Sequence, residues 1–169
     1  MILGFSTQLN GKPTYFVERI WASIHSQFKV ENEYLLPNVY FECLDKGFKN
    51  MHPFKPKLHT IREDKNDRWQ PGTKIDFFIN CRQKNMFRFA PFLPVVSVQE
   101  VYMSYRSNDL IQISVNEREL FGFNERLEFA QNDGFDTWED FFNYFYPQIK
   151  ATPNNFLKMK LIHWTDKQY

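Results

Sequence analysis

The chain has 169 residues, a length that predicts one domain with a substantial hydrophobic core. Its formal net charge of +1 excludes a global attraction to nucleic acid, so any such binding needs a local basic patch. Aromatic residues make up 18% of the chain, and most of these rings are expected in the core. Two distant cysteines, the absence of a signal-peptide pattern and the lack of an apolar run near about 18 residues predict a cytoplasmic protein without membrane contact.

The N-terminal part of the chain predicts a strand followed by two helices. Ile2–Ser6 has a strand pattern and precedes the turn dipeptide Asn10-Gly11. A helix is expected from a Thr14 cap to about Gln27, because its apolar residues fall on one stripe. A second helix is expected from about Asn38 to Lys46.

The middle of the chain predicts a series of short strands separated by turns. The predicted strands are Leu58–Glu63, Lys74–Cys81, Met86–Phe89, Val95–Tyr105 and Leu110–Val115. The second and third of them are expected to form a hairpin. Such a series favours a small barrel or curled sheet over alternating β-α-β units.

The C-terminal part predicts two helices and a closing strand. Asn124 is the expected N-cap of the first helix, and Asp136 is that of the second. Pro147 is expected to end the second helix. The last predicted strand is Phe156–Trp164, with alternating apolar and polar residues.

The stretch that begins at Lys57 carries the candidate chemistry. In a regular strand Thr60 and Arg62 lie on one face, and His59 lies on the other. Lys57 precedes Thr60 by three residues, so their side chains meet only if the chain turns or bulges near Lys57. Pro56 favours a turn there.

Three segments of the chain, in this order, resemble the ASCH domain family, which has a PUA-like β-barrel. They are Lys57-x-x-Thr60-Ile61-Arg62, then Trp69-x-Pro71-Gly72 before a strand, then Ala130–Phe135 followed by a helix and a terminal strand that ends at Leu161-Ile162-His163-Trp164. The resemblance covers residues 52–164. It implies an α+β fold, a PUA-like (ASCH-type) small β-barrel with helices packed on the outside. Residues 1–169 would then form a single domain, with an N-terminal helical extension at 12–51.

The resemblance also implies a function, namely binding of RNA or of a modified nucleoside or nucleotide in a cleft at the barrel. In a branch of the family that hydrolyses N4-acetylcytidine, the working groups are a lysine, a threonine three residues later and a late glutamate. They fall on Lys57, Thr60 and Asp133, which is a shorter carboxylate. An amidohydrolase acting on an N-acylated pyrimidine nucleoside is therefore an alternative, and a metal-independent ribonuclease is a further one.

The chemistry of these residue types fits the hydrolase alternative. A threonine hydroxyl becomes a nucleophile when a base takes its proton, and a desolvated lysine can be that base. A neighbouring carboxylate such as Asp133 favours the ammonium form of Lys57, so the activation depends on burial.

Further residues are candidates for ligand contact. Arg62 could hold a phosphate or a carbonyl oxygen, and His163-Trp164 could rim the cleft. His59 and Trp69 lie among cations suited to a phosphate backbone with a stacked base. These cations are Lys55, Lys57, Arg62, Lys65, Arg68 and Lys74, diluted by Glu63, Asp64 and Asp67. Histidines and cysteines show no metal-ligand spacing and glycines do not cluster, so neither a metal nor a cofactor is predicted.

Overall fold

The computed structural model describes residues 1–28, 37–106 and 110–169, and the fold within them is mixed α and β. The helices are α1 (Phe16–Phe28), α2 (Asn38–Asp45), α3 (Phe123–Asn132) and α4 (Trp138–Lys150), with a 3₁₀ turn at Pro153–Asn155. The strands are β1 (Ile2–Phe5), β2 (Gln8–Leu9), β3 (Lys12–Pro13), β4 (His59–Arg62), β5 (Lys74–Ile79), β6 (Phe87–Arg88), β7 (Leu93–Pro94), β8 (Ser97–Tyr105), β9 (Ile111–Val115), β10 (Arg118–Glu119) and β11 (Phe156–His163).

These strands form two main sheets and a small hairpin. The first sheet has the order β1-β5-β6, with β7 also paired to β5, and its β1–β5 pair is parallel. The second sheet is antiparallel, in the order β10-β9-β8-β11-β4. β2 and β3 pair around the predicted Asn10-Gly11 turn. The α+β class is therefore confirmed, whereas no sheet in the described ranges closes into a barrel and the predicted PUA-like barrel is not confirmed.

The second sheet separates two hydrophobic cores. In β11, Ile162 points to the first core, which α1 and the first sheet cover, and Leu161 points to the second core, which α3 and α4 cover. This alternation is the period-2 pattern expected of a strand. Leu9 packs against both cores. The predicted apolar stripe of α1 is buried in the first core over the part that the structure describes, so this helix is an integral part of that core: Phe16, Val17, Ile20, Trp21 and Ile24.

Buried tryptophan N–H groups tie α1 to the strands and loops around it. Trp21 donates from Nε1 to the Phe89 carbonyl oxygen at 2.8 Å. Trp164, directly after β11, donates from Nε1 to Ser23 Oγ at 3.0 Å. A buried donor without a partner costs about 1–3 kcal/mol, so these bonds fix how α1 lies against the sheets.

The helix ends differ from the predicted ones. α3 begins after Gly122 rather than at an Asn124 cap. Thr137, not Asp136, caps α4, and its side chain accepts a hydrogen bond from the Asp140 N–H. The helix also continues past Pro147 to Lys150. Its last turns bury apolar residues in the second core, and this tertiary packing offsets the hydrogen bond that a proline lacks.

No helix in the described part of the chain is long and apolar enough to cross a membrane.

The cap assignment predicts the stability of two variants. Thr137→Ala should lower the free energy of unfolding by about 1 kcal/mol, because an N–H group of the first turn loses its acceptor. Asn124→Ala replaces an exposed asparagine inside α3 and should lower it by less than about 0.5 kcal/mol. Urea denaturation of both variants checks the assignment, and equal losses would contradict it.

Candidate active site

Lys57 lies between α1 and the C-terminal end of α3. Its backbone N–H donates to the Arg19 carbonyl oxygen at 3.0 Å, and the next N–H, of Leu58, donates to the Asn132 carbonyl oxygen at 2.8 Å. These two bonds anchor the segment before β4 on both helices. The Lys57 side chain points inward and is only 1% exposed.

Asp133 binds the Lys57 ammonium in the interior. Lys57 Nζ lies 2.7 Å from Asp133 Oδ1 and also donates to the Asp133 backbone carbonyl. The same Oδ1 accepts the backbone N–H of Ile61 at 3.2 Å. On its other side, Nζ lies 4.7 Å from the centroid of the Phe16 ring, where a cation is attracted by the ring face. The ion pair therefore joins α1, β4 and the end of α3.

Burial and the neighbouring charge shift the pKa of each residue of this pair in opposite directions. Burial lowers the pKa of Lys57 to about 8, against the attraction of the Asp133 carboxylate, which raises it. Burial alone would raise the pKa of Asp133, but the Lys57 ammonium and His59 hold it below its ordinary value. At neutral pH the pair is an ammonium and a carboxylate. Because the pKa of Lys57 is about 8, the lysine begins to lose its proton when the pH rises about one unit above neutral.

Gly134 makes this arrangement possible. Its φ of +93° ends α3 in the left-handed region that favours glycine. A Cβ at this position would lie 2.8 Å from Phe16 Cε1 and 3.1 Å from Lys57 Cδ. A side chain here would thus push the Phe16 ring and the lysine stem apart.

A cavity of about 240 Å³ opens on the outer side of Phe16 and Gly134. Since both residues also contact Lys57, the ion pair lies directly behind the cavity wall. Among the described residues, the lining is aromatic and polar and includes carboxylates but a single cation. Its residues come from the β2–β3 hairpin, the start of α1, the loop before α4 and α4 itself: Leu9, Asn10, Lys12, Pro13, Thr14, Phe16, Gly134, Phe135, Asp136, Asp140, Asn143 and Tyr144.

Thr60 and Arg62 lie on one face of β4, as predicted, whereas His59 faces the second core. Arg62 donates to the Gly4 carbonyl oxygen at 2.6 Å, and its guanidinium carbon lies 5.2 Å from the centroid of the Phe5 ring. Thr60 is 3% exposed, and within the described residues no hydrogen bond joins its hydroxyl to Lys57. The structure thus assembles Lys57 with Asp133 and leaves Thr60 outside their hydrogen-bond network.

The other predicted ligand contacts lie in the interior. Trp69 is 6% exposed, Trp164 1%, and His59 and His163 are fully buried. Trp164 already donates its N–H to Ser23. A base could stack on these rings only if a core opened, so the structure does not place them on the rim of a cleft.

The predicted basic patch is partly neutralised. Lys65 pairs with Glu63 at 3.0 Å, and Arg68 Nε lies 3.6 Å from Asp64 Oδ1. Lys55 donates to the neutral Gln131 amide at 3.2 Å and keeps its charge. With the Lys57–Asp133 pair, three of the six predicted cations are bound to carboxylates, which reduces the positive charge available to a phosphate backbone.

Sequence reasoning missed the residues that line the cavity. Two of them, Lys12 and Asp140, form a 3.0 Å ion pair and are 128 positions apart in the chain. Phe16 looked like an ordinary core residue of α1. The one local signal was Gly134, because a glycine after a helix indicates a left-handed cap. Among the described residues, no group of three or more histidine, cysteine or acidic side chains could hold a metal ion.

Comparison of the chain with protein-family models, with curated protein sequences and with solved structures finds no match in any of the three. The relation to the ASCH family therefore stays a prediction.

The crowding at Gly134 can be measured against a glycine of similar backbone conformation. Gly72 has a φ of +85° and nothing within 4 Å of an added Cβ. Gly72→Ala should cost roughly 1–2 kcal/mol of unfolding free energy from the backbone alone. Gly134→Ala should cost roughly 1–3 kcal/mol more, because Phe16 and Lys57 must move. Equal losses in thermal or urea unfolding would show that no crowding exists.

The pKa of Lys57 predicts a rise of stability with pH. Its folded pKa is lowered to about 8 from an ordinary 10.5, so between these values the unfolded chain binds more protons than the folded one. The free energy of unfolding therefore increases with pH in this window. The raised pKa values of the buried Cys43 thiol and of Tyr169 act oppositely near and above the ordinary values of these groups, 9.0 and 10.0, so urea titrations should stop before about pH 9.

Two variants test the origin of this rise. In Lys57→Met/Asp133→Leu the rise should be absent, whereas in Lys65→Met, which removes an exposed lysine, it should remain. An unchanged slope in the double variant would assign the rise to another group.

Proposed function

We propose that the chain binds an uncharged modified nucleoside in the cavity beside Lys57 and Asp133. The observation that carries this proposal is a buried lysine of lowered pKa directly behind an aromatic, polar cavity. Ionisable groups with perturbed pKa values next to a cavity are typical of functional sites. Within this proposal, the two open sheets correspond to the PUA-like barrel that the resemblance implies.

The lining of the cavity supports a nucleoside as ligand. The half-buried Tyr144 offers a ring surface to a flat base, and the largely buried Phe16 and Phe135 complete the apolar part of the wall. Asn10 and Asn143 offer amide donors and acceptors to its polar edge. Stacking combined with amide hydrogen bonds is how proteins recognise unpaired bases.

The charges around the cavity favour a nucleoside over a nucleotide or RNA. Lys12 is held by Asp140, and Arg19 is held by Asp136 at 2.6 Å. A phosphate in the cavity would have to compete with these carboxylates. The RNA-binding and ribonuclease alternatives gain no support here, since both need cations for flanking phosphates.

Amide hydrolysis of an N-acylated pyrimidine nucleoside is a second candidate, favoured by the lowered pKa of Lys57. The neutral Lys57 amine would take the Thr60 hydroxyl proton, and the Thr60 oxygen would attack the acyl carbon. The C–N bond breaks as the leaving amine receives that proton, and water then releases the carboxylic acid from Thr60. Because Nζ is bound by Asp133 in the free protein, ligand entry must move it toward Thr60.

Calorimetric titration tests the binding proposal. Cytidine or N4-acetylcytidine should bind, and cytidine monophosphate should bind more weakly. Asn143→Ala should weaken nucleoside binding roughly three- to tenfold through a lost hydrogen bond. The control Asn124→Ala, also an exposed helical asparagine, should bind normally. Tighter binding of the monophosphate, or no binding of either nucleoside, would refute the proposal.

Release of cytidine from N4-acetylcytidine tests the hydrolase candidate separately. Thr60→Val keeps the shape of the side chain but lacks the hydroxyl, so it should bind and not turn over. Thr60→Ser should retain activity, and Lys57→Met should lose it. Binding without turnover by the wild-type chain would reject hydrolysis of this substrate and leave the binding proposal intact.

A further inference from the structure

A series of polar side chains continues from Asp133 away from the cavity. His59 Nδ1 lies 3.7 Å from Asp133 Oδ1, and His59 Nε2 lies 2.8 Å from the Tyr169 hydroxyl. Asn132 donates from Nδ2 to the same hydroxyl at 2.8 Å. Tyr169 is held in place by Gln99, which bonds both its backbone N–H and its carbonyl oxygen.

The Asn132 amide leaves the Tyr169 hydroxyl able to donate within this series of polar groups. An amide nitrogen can only donate, so the Tyr169 oxygen accepts from Asn132. That Asn132 acts as a donor is supported by Glu128, whose pKa is lowered in part by the same amide. When the Tyr169 hydroxyl donates to His59 Nε2, the proton of a neutral imidazole lies on Nδ1, the atom that faces Asp133. The opposite tautomer would reverse this hydrogen bond, so the tautomer is the first quantity to measure.

The surroundings of His59 keep it neutral. It is fully buried, and burial lowers its pKa. Its ring packs against Phe129, His163 and Tyr169. The charged and titratable groups that act on His59, Tyr169 and Lys57 from all neighbouring elements are Arg19, Arg62, Glu128, Asp133, His163 and Lys167.

Among these groups Asp133 is the one that His59 and Lys57 share. Both side chains approach Oδ1, and they are two positions apart in the chain. The Nδ1 atom has no hydrogen-bond partner among the described residues, so the carboxylate at 3.7 Å is the charge to which it responds. An N–H dipole that points at this carboxylate stabilises its charge and also repels the nearby ammonium.

We propose that Tyr169 and His59 are positioning residues that hold an N–H group toward Asp133 and thereby set the protonation state of Lys57. They act through the carboxylate and touch neither the cavity nor Lys57 Nζ. We call Tyr169 and His59 the relay, and the effect of this relay on catalysis rests on the proposed function. The protonation states themselves can be measured without any ligand, so failure of the two proposals can be told apart.

The first test is the tautomer of His59, measured by ¹⁵N NMR of the histidine rings near neutral pH. The relay predicts a neutral ring with the proton on Nδ1 and an unprotonated Nε2, in a signal that His59→Phe removes. A proton on Nε2, or a doubly protonated ring, would overturn the proposal. This measurement uses the wild-type chain, so it does not depend on whether a variant folds.

The second test is the titration of Lys57, followed by ¹³C NMR of the lysine Cε groups, among which a midpoint near pH 8 distinguishes it. His59→Phe keeps the ring and loses the N–H, so the midpoint should rise by roughly half a pH unit. Tyr169→Phe should raise the midpoint by less, because it removes the hydrogen bond that holds the His59 ring but leaves the ring itself in place. The control Tyr102→Phe removes a hydroxyl that bonds Glu100 and should leave it unchanged. Unchanged midpoints in folded His59→Phe and Tyr169→Phe would overturn the relay, since a merely structural role changes stability alone.

Discussion

The buried ion pair between Lys57 and Asp133 is the interaction on which the arrangement of this molecule depends. It joins the segment before β4 to the end of α3, and the Phe16 ring of α1 covers it. Two charges in the interior are costly, and removal of one partner alone typically costs about 3–5 kcal/mol. Here the Asp133 carboxylate is also bonded by the Ile61 N–H, so it is well satisfied. The pair is thus stable, yet burial leaves the lysine close to losing its proton.

A buried ion pair of this kind does not need a cavity, and a purely structural pair could be replaced by apolar side chains. What distinguishes this one is its place behind a thin wall made of Phe16 and Gly134. The glycine brings the chain within reach of both side chains, and no other residue type fits there without displacement. The same two residues contact the lysine and line the cavity, so the buried charge lies close to the cavity.

Local features of the fold were predictable from the sequence, and long-range ones were not. The stripe of α1, the alternation in β4 and the turn at Asn10-Gly11 follow from patterns a few residues long. Lys57 and Asp133 are 76 positions apart, so their proximity was predicted only through the family resemblance. Trp164 was expected at a rim because the terminal strand of a PUA-like barrel lies near its start, but its position two residues after Ile162 turns it into the first core. The barrel prediction rested on a series of short strands and on the family resemblance, and a series of strands does not decide whether sheets close.

The central claim, that the cavity beside the ion pair is a nucleoside site, is tested most directly by backbone amide shifts on addition of N4-acetylcytidine to the ¹⁵N-labelled chain. The account predicts saturable shifts concentrated at Phe16, Gly134, Asn143 and Tyr144, which surround the cavity. It also predicts a smaller response at Ile61, whose N–H bonds Asp133. Saturable shifts confined to other surfaces, such as the charged groove around Glu100 and Lys160, or no shifts at all, would contradict it.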